Sequence, residues 1–157
     1  MLVTLLVLGG LLAVAVLVVV GVAVVRGMDS RPLGEVDSAV TVASRRLQPG
    51  HCVSRLPADG DVSRVEVVPC DEPHEAAVVG SLEISGDEWP GKDRVERQAV
   101  DYCEMDSAEA EAGFRPVVWT PTRDGWGQGD RSALCLAWRE TGPVTGSFTA
   151  GDEVAPS

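Results

Sequence analysis

From Leu2 to Val25 the chain runs LVTLLVLGGLLAVAVLVVVGVAVV, with no charge and with Thr4 as its only hydroxyl. A stretch that is apolar on every face has no polar side to turn to water, so it predicts a helix surrounded by hydrocarbon. At about 1.5 Å per residue it extends roughly 36 Å, against a bilayer core of about 30 Å. A cleaved signal peptide starts with basic residues and has an apolar core of about 7 to 15 residues. Nothing basic precedes this longer run, and its only A-x-A, Ala13 to Ala15, sits in mid-span. Residues 1–26 are therefore expected to form an uncleaved transmembrane signal anchor. Residues 27–48 mix Pro, Gly, Ser and scattered charges without a sustained period, which predicts a flexible tether.

Beyond the tether the pattern becomes short and alternating. HCVSRL (51–56) and VSRVEVVPC (62–70) are β-rich runs separated by PADGD, whose Pro57 and Asp59-Gly60 are turn chemistry, so they predict a hairpin. HEAAVVGSLEI (74–84) predicts a third strand after the turn at DEP. A helix is expected next, with Asp93 as its cap and Glu96 three residues on, as in a capping box. Its buried face would carry Val95, Ala99, Tyr102 and Cys103, and Gly113 would end it. RPVVWTP (115–121), SALCLAWRE (132–140) and VTGSFTA (144–150) supply two or three later strands. The order β-β-β-α-β-β predicts an α+β domain over residues 49–149, one helix packed on a largely antiparallel sheet. Residues 150–157, ending GDEVAPS, are expected to be a disordered acidic tail.

Charge and cysteines then set the compartment. Residues 50–157 hold nine Lys or Arg against twenty-one Asp or Glu, a formal −12. That field repels nucleic acid and anionic polymers, leaving proteins, glycans or cations as the expected partners. Arg26, Arg31, Arg45 and Arg46 all follow the span and none precedes it, so the positive-inside rule alone would keep the domain in the cytoplasm. Four cysteines in a domain this small argue instead for a disulfide framework in an oxidising compartment. A basic leader upstream of Met1 would reconcile the two, and a peptide mapped there is its test.

Four cysteines allow three pairings. Cys52 with Cys70 would join the strands of the hairpin region, and Cys103 with Cys135 would pin the helix to a later strand; this pairing is expected. A zinc site from His51, Cys52, Cys70 and His74 is the competing reading. It lacks a Cys pair or His pair at the spacing zinc sites favour, and it would strand Cys103 and Cys135. A Cys/His nucleophile pair is weaker, because a bonded sulfur does not attack. No G-x-S-x-G, P-loop, H-E-x-x-H or EF-hand loop occurs, so no catalytic residue, metal ligand or cofactor is assigned, and the domain is expected not to be an enzyme. Trp89, before Pro90, and Trp126, in RDGWGQGDR, fall in predicted loops. They are the candidate partner-binding residues, set against a packing role that covers the disulfides and closes the small core.

PGHCVSRL, then VVPCDEPHEAAVVGSLEI, a helix carrying DYC, PTRDGWGQGDRSALCLAW and TGSF together resemble the septum formation domain family of actinobacterial envelope proteins. The resemblance covers roughly Leu47 to Phe148. It is most specific at Val68 to Val78 and at Trp126, Gly129, Asp130 and Arg131 ahead of Cys135. It implies a single-pass or lipid-anchored protein with the domain outside and its four cysteines paired, and it brings no catalytic residue or ligand. His51 stands where an acidic or polar residue usually precedes the first cysteine. An ion pair between Asp130 and Arg131 would fix the loop carrying Trp126. The expected protein is thus a single-pass cell-membrane protein whose extracytoplasmic domain binds an envelope or division component in septum formation. The alternative is a glycan or peptidoglycan binder that uses the loop indoles as stacking platforms.

Overall fold

A computed structural model describes residues 10, 12–22, 31–57, 62–105 and 110–157, in two units, 1–31 and 32–157. Residues 12–22 of the first unit are helical. No helix among the described residues is long and apolar enough to cross a membrane, and the rest of the expected span lies outside them.

Among the described residues of the second unit eight strands form: β1 (Val40–Ala43), β2 (Cys52–Val53), β3 (Arg64–Val68), β4 (Ala76–Glu83), β5 (Phe114–Trp119), β6 (Ser132–Arg139), β7 (Val144–Thr145) and β8 (Ala155–Pro156). Helix α1 (Lys92–Tyr102), the short α2 (Arg123–Gly127) and a 3-10 turn (Ser44–Arg46) lie between them, and residues 110–111 are also helical. The first six strands make one sheet in the order β1-β3-β2-β4-β6-β5, antiparallel at every pairing. The expected hairpin is β2 with β3, and the α+β class holds. β3 shows the expected period: Val65 and Val67 are buried while Arg64 and Glu66 face water.

The apolar run of β6 does not alternate because both of its faces are covered. Leu134 and Leu136 join one cluster with Val53, Val67, Ala76 and Val78. Ala133, one residue out of phase, joins Ile84, Val95 and Ala99 under α1. On the first face the sheet curls over itself. Val42 from one edge strand and Trp119 from the opposite edge belong to the same buried cluster, and just beyond them Arg45 Nη1 donates to Gln128 Oε1 across 3.3 Å.

Helix α1 departs from expectation at both ends. Its cap is Gly91, at φ 95°, and makes no side-chain cap bond; Asp93 instead sits in the first turn, where its charge favours the positive end of the helix dipole. The helix stops at Tyr102, well before Gly113, with Cys103 as its C-cap. Val95, Ala99 and Cys103 are buried as expected, but Tyr102 is 52% exposed. A side chain in the last turn, beside a cystine that already holds the helix down, has less surface left to bury.

The flanks are more ordered than expected. The tether contributes β1, and its VTVA pairs with β3 from Val40 opposite Val67 to Ala43 opposite Arg64. Upstream, Leu33 N–H donates to the Arg46 carbonyl at 2.7 Å, and Leu33 and Val36 pack on the main core. The tail is anchored too: β8 pairs with β7, and Val144 exchanges main-chain bonds of 2.9 and 2.8 Å with His74. Gly146 is the hinge of this docking. It sits at φ 98°, its N–H donates to the Cys70 carbonyl at 2.6 Å, and a Cβ there would meet the Glu153 carbonyl oxygen at 2.5 Å. Gly146→Ala is expected to cost about 1 to 3 kcal/mol and to make the last residues the first site of proteolysis. Limited proteolysis beside a thermal melt checks both.

Candidate functional site

The corner carrying the two candidate tryptophans is built from α2, the turn after it and the 86–89 loop. Thr122 Oγ1 caps α2 by accepting from Gly125 N–H at 3.0 Å. The chain then closes tightly, with the N–H groups of Gln128 and Asp130 both on the Gly125 carbonyl and Gly129 at φ 91°. That turn drives the Trp126 indole inward, to 3% exposure. Its Nε1–H donates to the Asp87 carbonyl at 3.1 Å. Trp89 meets it edge-on, with ring centroids 5.4 Å apart, and the Arg131 guanidinium carbon lies 3.9 Å from the ring centroid.

Trp126 therefore sits in a helix and in the core, and its ring is not presented as a stacking platform. Trp89 is half-buried against it and borders a shallow groove of about 570 Å³ along the 85–90 loop, with Arg94 and Gln98. Of the two candidates, Trp89 alone keeps surface for a partner. Trp119 belongs to the main core, with Trp138 half-buried against it.

Arg131 does fix the corner, but through main-chain carbonyls. It donates to those of Trp126 at 2.6 Å, Asp130 at 3.1 Å and Gly86 at 3.2 Å. The Asp130 carboxylate is turned to the Ser132 N–H at 3.2 Å. Burial pushes the Asp130 carboxyl above its usual range, opposed by the Ser132 N–H and by the positive charges of Arg45 and Arg131.

The cysteines form Cys52–Cys70 and Cys103–Cys135, both with Cα atoms 5.3 Å apart. The first ties β2 to the chain just past β3; the second ties the end of α1 to the centre of β6. The residues weighed as zinc ligands thus have other bonds. Cys52 and Cys70 hold each other. His51 accepts from Gln48 N–H at Nδ1, at 2.9 Å, and its Nε2–H donates to the Gly34 carbonyl at 3.0 Å, which latches the 33–37 segment onto the domain. His74 is fully buried, with its Nδ1–H on the Glu72 carbonyl at 2.9 Å.

His74 carries a pH dependence. Its Nε2 is buried without a hydrogen-bond partner among the described residues. Burial lowers its pKa, an effect the Glu72 carbonyl only partly opposes. The folded chain then takes up the proton at a lower pH than the unfolded chain, whose imidazole titrates near 6.5. Stability is complete above that value and falls as pH drops through the window down to the folded pKa, by at most about 1.4 kcal/mol per pH unit. Asp130, raised in the fold, acts with the opposite sign in the more acid carboxylate range. His74→Asn keeps a donor for the Glu72 carbonyl and removes the titration, so its urea midpoint should change little between pH 7.5 and 5.5 while that of the wild type falls.

Sequence reasoning missed the roles of Arg45 and Gln128, which meet only because the sheet curls; no local spacing signals it. A family model described as septum formation matches residues 29–113, more than half of the chain. The match starts before β1, consistent with a folded domain that begins earlier than the first cysteine. No curated protein and no solved structure matches the chain.

Proposed function

Because the chain belongs to the septum formation family, we propose that it is a non-enzymatic, membrane-tethered extracytoplasmic domain that binds another component of the envelope or division apparatus during septum formation. The observation that carries this reading is the pair of disulfides, one tying β2 to the chain just past β3 and one locking the end of α1 to the sheet. Bonds of this kind persist in oxidising compartments, and the uncharged run Leu2 to Val25 supplies the span that would hold the domain there.

The mechanism is presentation. Leu33 and Val36 already dock on the core, so the folded domain takes in much of the expected tether, residues 27–48. A domain that begins so near the proposed span in sequence suits a partner at or near the membrane surface. Trp89 and its groove are the offered contact, since a half-exposed indole on a fixed corner costs little entropy to order. The alternative with paired indole platforms loses its basis with Trp126 buried. A photo-crosslinking residue at Glu88, beside Trp89, in dividing cells expressing the full chain should give a discrete adduct with an envelope protein. Adducts with cytoplasmic proteins alone would contradict the reading.

A further inference from the structure

A second pocket, of about 380 Å³, lies where the two edges of the curled sheet approach each other, between the turn after β1 and the segment after β5. That volume falls in the range of small-molecule sites, about 300 to 1,000 Å³. Its apolar part is Ala43 and Val62; its polar part includes Arg45, Thr122, Gln128 and Asp130. Two of these are held in place: Arg45 Nη1 by Gln128 Oε1 at 3.3 Å, and Asp130 Oδ1 by Ser132 N–H at 3.2 Å.

Gly125 also lines this pocket. A Cβ there would come 3.3 Å from Asp130 Oδ2 and 3.3 Å from Thr122 Oγ1. Its φ is not in the left-handed region, so backbone conformation does not demand glycine. What the missing methyl provides is room beside the carboxylate.

The charges around the pocket nearly cancel. Asp130 faces the fields of Arg45 and Arg131, with Asp124 on the rim. A charged ligand would find little net attraction, whereas an uncharged one with many hydroxyls fits the donor and acceptor set. A carboxylate accepts from neighbouring hydroxyls, an amide and a guanidinium donate, threonine hydroxyls do both, and the apolar patch takes the C–H face of a ring.

We propose that this seam pocket binds one uncharged sugar residue, with Asp130 accepting from adjacent ring hydroxyls and Gln128 and Arg45 donating to them. The pocket shares α2 and its turn with the tryptophan corner but none of the residues lining the Trp89 groove, and it does not depend on the presentation reading: either can fail alone.

The test uses the full chain in a detergent without a sugar headgroup, titrated with glucose, N-acetylglucosamine and a soluble N-acetylglucosamine tetramer by calorimetry and saturation-transfer NMR. Saturable binding of at least one probe in the roughly millimolar range is expected. Asp130→Asn and Gln128→Ala should each weaken it about tenfold, Gly125→Ala should abolish it by filling the space, and Trp89→Ala should leave it unchanged. Binding of the monosaccharide identifies a free sugar as sufficient; binding of the tetramer alone identifies a polymer end. No saturable binding up to roughly 50 mM overturns the proposal, as does binding that Gln128→Ala and Asp130→Asn leave intact or that Trp89→Ala removes. Gln128 lies on the surface turn, so its variant decides the matter if Asp130→Asn unfolds.

Discussion

Replacing Cys103 and Cys135 together by alanine is expected to lower stability by about 4 kcal/mol, and replacing Cys52 and Cys70 by about 3 kcal/mol, on the chain-entropy account of loops of these lengths. The order follows from the separations, 32 residues against 18. Packing reinforces it, because Cys103 and Cys135 are both buried and Cys135 lies against Gly80 in the middle of the β4–β6 pairing. Small domains have about 5 to 15 kcal/mol in total, so the fourfold variant should be largely unfolded at 37 °C. A thermal melt of each variant, and of the wild type with and without reductant, checks this. The Cys103/Cys135 variant should melt about 10 to 20 °C lower. Variants that melt with the wild type, or a larger loss from the shorter loop, would show that the bonds do not carry the stability assigned to them.

Trp126→Ala is the second large effect, at about 3 to 5 kcal/mol for removing a buried indole. The loss has separable parts. Trp126→Phe keeps a ring against Trp89 and beneath Arg131 but removes the Nε1–H that satisfies the Asp87 carbonyl, a change worth about 1 kcal/mol or somewhat more if that carbonyl is left dry. Trp89→Ala should cost less than Trp126→Ala because Trp89 is only half-buried. A double-mutant cycle between them should give a coupling of about 0.5 to 1.5 kcal/mol. These are stability measurements by urea melt; equal and small losses at both positions would mean that the corner is not packed as described.

How much of this was legible in the sequence follows from which forces act locally. The hairpin, the helix over its buried face and the cystine pairing rest on period and spacing, and the long β4 and β6 strands on continuous apolar runs between turns; the chain shows all of these. β1 was hidden because VTVA, though made of strand-favouring residues, is only four residues long and lies among Ser, Gly and Arg; its place in the sheet is fixed by pairing with β3. β8 was hidden for the same reason, as two residues held by β7 and by the Gly146 turn. The capping-box pattern at Asp93 misled because Gly91, two residues earlier, supplies the left-handed entry that starts the helix without a side-chain cap. Trp126 shows the limit most clearly. RDGWGQGDR has the composition of an exposed loop, yet Thr122 caps a helical turn there and Gly129 reverses the chain, so the indole ends in the core. Arg131 was expected to act through Asp130, but a guanidinium has several donors, and its Nη1 and Nε bond three nearby carbonyls.

The central claim is that the folded unit is stapled in an oxidising compartment and presented from the membrane. A non-reducing peptide map with thiol counting, on protein taken from its native membrane, tests it most directly. The account predicts Cys52 joined to Cys70, Cys103 joined to Cys135, and no free thiol. Four free thiols would contradict it, place the domain in a reducing compartment, and make the arginines that follow the proposed span the correct guide to its orientation.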